Sequence, residues 1–191
     1  MNFLAHIYLS GEDKERMIGN FIADFVKGKK KDDYPDAIRK GIELHRAIDD
    51  FTDHHPITSL SKERLRPKYS KYSGVIVDLY YDHFLAHNFD RYSDVPLQQY
   101  SEQTYQVLLE YKEILPEGVN YFLPFMIERN WLLNYASIEG IGRALTGLSK
   151  RVSFENKMDE SVADLREHYS AFENEFGRFF PELITFVNSY S

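Results

Sequence analysis

Three stretches of the chain set carboxylates, amides and imidazoles one helical turn apart among large apolar side chains. In GVIVDLYYDHFLAHNFD, Gly74 to Asp90, the apolar residues Val75, Ile76, Val77, Leu79, Tyr80, Tyr81, Phe84, Leu85 and Phe89 cover almost every direction of a helical wheel. A helix apolar all round is buried, so Asp78, Asp82 and His83 are expected inside protein. An ionised carboxylate held there needs hydrogen bonds, a cation or a metal. The neighbouring tyrosines are the alternative source of those hydrogen bonds. His87 and Asp90 fall towards the helix end and are expected to be exposed. In DAIRKGIELHRAIDDFTD, the residues Ile38, Ile42, Leu44, Ala47, Ile48 and Phe51 define a wide apolar arc, and His45 and Asp49 fall inside it. Four residues apart, they leave one face a turn apart. They are either a ligand pair or a buried ion pair, and Asp53 continues their row at its edge. Asn20 and Asp24 form a third pair with the same spacing at the margin of an apolar arc, where the plain alternative is a solvated edge. His6, taken alone, is either core or exposed. Facing helices in bundles build metal sites from inward pairs of this kind. Imidazole and carboxylate donors without thiolate suit Mn, Mg, Fe or Zn.

The elements that must position these groups are helical throughout. Apolar periodicity predicts helices over Lys14–Gly28, from about Asp36 to before Pro56, over Thr58–Ser70, and over Gly74–Asp90. A fifth covers Asp94–Leu115, with Asp94 as cap and Pro96 in its first turn. A sixth, Val119–Ser137, is interrupted near Pro124. A short helix follows over Ser137–Val152. A last one runs from about Lys157 to Phe180, with Met158, Val162, Leu165, Tyr169, Phe172 and Phe176 as its packing seam. The expected architecture is an all-α, single-domain multi-helix bundle spanning 1–191.

Composition narrows the function classes. The absence of cysteine excludes disulfides and thiolate metal sites and suits the cytosol. The N-terminus lacks a basic region followed by a long apolar run, so no signal peptide is expected. No apolar run reaches the roughly 18–20 residues that span a membrane. A formal net charge of −7 argues against general nucleic-acid binding. Basic charge is nonetheless clustered, at Lys27–Lys31 and at Lys62, Arg64, Arg66, Lys68 and Lys71. These clusters are either solvated helix ends or docking surfaces for an acidic partner. No nucleophile elbow, Walker loop or dinucleotide fingerprint is present.

The motifs MNFLAHIYLS, GNFIADFVKG, GIELHRAIDDFTD and VDLYYDHFLAHNF, followed by ERNWLLNYASIEGIGRALTGLSKR, closely resemble the acyl carrier protein phosphodiesterase family over nearly the whole chain. The resemblance implies a bacterial cytoplasmic hydrolase that removes 4′-phosphopantetheine from holo acyl carrier protein. It also implies kinship with all-α, HD-type metal-dependent phosphohydrolases and a preference for Mn²⁺. The chain departs from that type in one respect: its adjacent pair is reversed, Asp82-His83, and no His-Asp dipeptide occurs. Asp24 matches the aspartate linked to metal use. The expected metal ligands are Asp24, His45, Asp82 and His83. Asp49 is expected to bind metal, orient His45 or accept the proton of the attacking water. Acyl carrier protein, an acidic protein, is the expected partner of Lys62, Arg64, Arg66, Lys68 and Lys71. Two rival readings are an HD-like phosphohydrolase acting on a nucleotide or other small phosphoester, and a non-catalytic all-α binding module.

Overall fold

A computed structural model describes residues 1–154 and 156–190, and among them there is no strand. The α-helices in chain order are α1 (Phe3–Leu9), α2 (Lys14–Ile22), α3 (Asp36–His54), α4 (Pro56–Tyr69), α5 (Ser73–His87) and α6 (Leu97–Glu110). They continue with α7 (Glu117–Glu128), α8 (Trp131–Asn134), α9 (Ile138–Ser149), α10 (Val162–Glu167) and α11 (Tyr169–Ser189). The all-α expectation holds. No helix among the described residues is long and apolar enough to cross a membrane.

The core is built around α5, as its all-round apolar pattern requires. Tyr80, Tyr81 and Phe84 are fully buried and pack against Phe172, Phe176 and Phe179 of α11 at ring-centroid separations of 5.0–6.0 Å. Each such ring contributes about 1.5–3 kcal/mol by leaving water.

Two contacts position the functional groups. The first is a backbone-close crossing of α2 and α3. A Cβ added at Gly19 would lie 1.9 Å from the Ile38 carbonyl oxygen, and one at Gly41 would lie 2.1 Å from that of Arg16. Only glycine permits that approach, which brings the Asn20 backbone within reach of the His45 ring. The second concerns α1. Seven residues are too few to hold a helix in isolation, and its own Asn2 makes no side-chain cap. Asp82 of α5 supplies the cap instead. Its carboxylate accepts from the backbone N–H groups of Asn2 (3.3 Å), Leu4 (2.7 Å) and Ala5 (3.2 Å). Unsatisfied first-turn amides are the strongest local donors a helix offers.

Four expectations need correction. The helix from Lys14 stops at Ile22, and a 3₁₀ turn over Ala23–Phe25 swings Asp24 to the surface. Asp94 is not a cap: Pro96 holds the cap position of α6, with no side-chain bond. Pro124 sits inside α7, and the break falls at Asn130, whose left-handed φ of +38° turns the chain while its side chain caps α8. The last helical region divides at His168 into α10 and α11 and continues to Ser189. No resemblance-free signal in the sequence pointed to α1, whose pattern is too short for a periodicity argument.

Candidate metal centre

α1, α2 and α3 converge on one cluster. His6, His45 and Asp49 each offer a ligand atom, all within 4.8 Å of one another. The two imidazoles stack with centroids 3.8 Å apart and planes 13° from parallel. Asp49 reaches both: Oδ1 lies 3.2 Å from His6 Nε2, and Oδ2 lies 3.1 Å from His45 Nε2. Asp24 approaches His45 Nε2 from the solvent side at 3.3 Å, its side chain 70% exposed.

Asn20 orients both rings. Its Oδ1 lies 2.8 Å from His6 Nδ1, and its backbone carbonyl lies 2.8 Å from His45 Nδ1. Its amide nitrogen is spent on the His6 carbonyl and on Ser10 Oγ. Both contacts to the rings are therefore acceptors, each Nδ1 carries the proton, and each Nε2 faces the cluster. This is the arrangement by which outer partners prepare imidazole for metal.

The charges are unusual for a buried site. Burial, followed by the neighbouring His45, lowers His6 to about 4, so it is neutral near pH 7. Its Nε2 is buried with no hydrogen-bond partner among the described residues. It stands 3.2 Å from the Asp49 carboxylate, a gap that a shared proton or a cation would bridge. Burial also opposes charge on His45, but the Asp24 and Asp49 carboxylates outweigh it and raise the ring to about 9. Asp49 is held well below the usual carboxylate range: burial works against it, and His45, His6 and the Met1 ammonium overcome that. The Met1 ammonium lies 3.0 Å from Asp78 and 3.5 Å from Asp49. The donor set therefore fits a divalent cation of the imidazole–carboxylate type.

Of the expected ligands, the structure brings His45 and Asp24 to this cluster together with Asp49. It does not bring Asp82 or His83. Both are buried, at 0% and 1% exposure, as the helix pattern required. Asp82 is committed to the start of α1. His83 is satisfied at both nitrogens, by the Tyr135 carbonyl at 2.8 Å and the Tyr169 hydroxyl at 3.0 Å. Asp78 is partly exposed and pairs with Met1; His87 and Asp90 are exposed as expected. Asn20, expected only as half of a pair with Asp24, and His6, left open between core and exposed, both belong to the centre.

The basic stretch is also divided. Arg64 binds the buried Glu175 through both terminal nitrogens, at 2.8 and 2.6 Å, and Lys68 binds Asp164 at 3.0 Å. Lys62 lies 3.5 Å from Asp53. Arg66 has no ion-pair partner among the described residues, and Lys71 lies over the rings of Tyr72 and Phe154.

Comparison with known proteins agrees with this architecture of motifs. A family model described as acyl carrier protein phosphodiesterase matches residues 1–183. Relatives bearing that name include one from Klebsiella pneumoniae (strain 342), 32% identical over 188 residues and covering 96% of each chain. One from Escherichia coli O6:H1 is 30% identical over 188 residues, again covering 96% of each chain. One from Photorhabdus laumondii subsp. laumondii is 30% identical over 188 residues, covering 96% of this chain and 93% of the relative. No solved structure matches the chain significantly. The chain belongs to the acyl carrier protein phosphodiesterase family.

Proposed function

We propose that this enzyme hydrolyses the phosphodiester joining 4′-phosphopantetheine to a serine of acyl carrier protein, using a divalent cation held by His6, His45 and Asp49. One observation carries the metal reading: a ligand atom from each of His6, His45 and Asp49 lies within 4.8 Å of the others, with both imidazoles set by Asn20. Family membership carries the substrate class. Mn²⁺ is the ion of choice for the resemblance and is compatible with the donors. A cysteine-free chain suits a cytoplasmic location.

When bound, such a cation lowers the pKa of water and polarises phosphoryl oxygens. The protein's own groups divide the remaining work. His6 and Asp49 anchor the floor of the site, with His6 buried and Asp49 half-exposed. Asn20 fixes the ring planes. Asp24, ionised and paired with His45 at the mouth, completes the donor set from the solvent side and is placed to accept the proton of the attacking water.

The charge states predict a proton count. His45 is protonated near pH 7 in the metal-free protein, whereas His6 is already neutral. Metal uptake must therefore expel about one proton, from His45, and apparent affinity should rise about tenfold per pH unit from pH 7 towards 9. Titration calorimetry of Mn²⁺ in buffers of different ionisation enthalpy measures that proton directly. A pH-independent affinity would contradict the assigned charge on His45.

Activity is tested by incubating the enzyme with holo acyl carrier protein and Mn²⁺ and following the carrier's mass. Loss of one phosphopantetheine, abolished by a chelator, is the expected result. An unchanged mass with folded, metal-loaded enzyme would refute the proposed function.

A further inference from the structure

Three aromatic rings stand exposed beside the metal centre. Phe25 follows Asp24 in the 3₁₀ turn over Ala23–Phe25, and its ring lies against α7, 5.6 Å from that of Phe122. A Cβ at Gly118 would lie 2.9 Å from Phe25 Cδ1, so the bare glycine is what seats the ring. Tyr121 and Phe125 extend the ledge along α7, their rings 6.2 Å apart. Phe25, Tyr121 and Phe125 are 37%, 77% and 46% exposed.

This is an unusual use of a helix. Gly118, Tyr121, Phe122 and Phe125 recur at the spacing by which a helix packs its apolar stripe on a core. Here only Phe122 is buried, stacked on Trp131. No charged residue occurs from Gly118 to Ile127. A contiguous exposed apolar surface marks a binding site.

The position of the ledge says what covers it. It begins where the metal centre ends: Asp24 reaches His45 Nε2 at 3.3 Å, and the next side chain is the ring of Phe25. Beyond Asp49, on the other side, the centre is ionic, with the Met1 ammonium, Asp78, and Asp53 paired to Lys62. A diester held at the centre has two limbs. One is the polypeptide. The other, the pantetheine arm, carries methyl and methylene groups joined by neutral amides and is uncharged near pH 7. Such a limb gains by covering exposed rings and loses by covering charges. Resting on the proposed hydrolysis, we infer that Phe25, Tyr121 and Phe125 form the subsite for the pantetheine arm. The ledge then selects serine diesters that bear this arm.

The test uses the full chain with Mn²⁺, holo acyl carrier protein as substrate, and free pantetheine, which lacks the phosphate, as competitor. Pantetheine should inhibit the wild type competitively. Phe25→Ala should raise both KM for the holo carrier and Ki for pantetheine about tenfold, and Phe25→Tyr should restore both. Tyr121→Ala, at a side chain too exposed to matter for folding, should raise both about threefold. Leu60→Ala, at an exposed apolar side chain of α4, should change neither. Mn²⁺ affinity should hold at the wild-type value throughout. Wild-type enzyme that pantetheine does not inhibit, or a KM that rises while Ki stays fixed, overturns the inference and gives the ledge to the polypeptide or to a second copy of the chain. Unchanged KM in both variants overturns it as well. Failure of the underlying function is distinguishable, because wild-type, metal-loaded enzyme would then leave the carrier's mass unchanged.

Discussion

Asp49→Ala is expected to lower metal-dependent turnover by about 100-fold or more and to weaken Mn²⁺ binding by at least as much. Removing a partner one shell out from a metal already costs about 10–100-fold, and Asp49 touches both imidazoles of the cluster directly. The same change acts on the metal-free protein. Asp49 balances the His45 imidazolium and the Met1 ammonium, and its depressed pKa marks the stabilisation it draws from them. That contribution is present above the ordinary carboxylate range and is lost as pH falls below it. The variant should therefore be less stable at neutral pH, with the deficit closing in acid. Its His45, left with Asp24 alone, should titrate lower than in the wild type. Circular dichroism and calorimetry separate these effects. Wild-type metal affinity in a folded Asp49→Ala protein would contradict the assigned ligand set.

Asp82→Ala should produce the largest loss of stability, about 3–5 kcal/mol, because it orphans three amide donors at the start of α1, two of them buried. The loss should be measurable as a shift of the denaturant midpoint without a change in its slope. It should also weaken metal binding, since α1 carries His6. The pH dependence adds a second signature. Burial lifts Asp82 to about 7, against the pull of the Leu4 amide, the ammonium and the remaining donors. A carboxyl raised in this way contributes most below its unfolded pKa, and that contribution fades as pH climbs through 7. The wild type carries this slope and the variant does not. A loss below 1 kcal/mol would mean that α1 is held by other contacts.

These two aspartates also mark what could be read from residues alone. His45 and Asp49 were visible because a one-turn pair inside an apolar arc has few innocent explanations. The oddity of Asp82 and His83 was visible too, and their burial followed from the pattern around them. Their task was not visible, because it depends on partners far away in sequence: the amides of α1, the Tyr135 carbonyl and the Tyr169 hydroxyl. His6 was left open for the converse reason. It sits on a helix of seven residues that exists only because Asp82 caps it, and no local periodicity announces it. Asn20 stood only as half of a pair with Asp24, with a solvated edge as the alternative; the glycine crossing at Gly19 and Gly41 places its carbonyl against His45. The basic stretch looked uniform in sequence, whereas Glu175 and Asp164 claim Arg64 and Lys68 for the fold. Helix existence was legible nearly throughout. Helix ends were less so, because Asn130 and His168 rather than the prolines set the breaks.

The most direct test of the metal assignment is an anomalous-scattering map from Mn²⁺-loaded crystals, collected on either side of the manganese edge. The account predicts a single peak within coordination distance of His6 Nε2, His45 Nε2 and the Asp49 carboxylate, with Asp24 turned towards it. A peak beside His83, or none at saturating Mn²⁺, would contradict it.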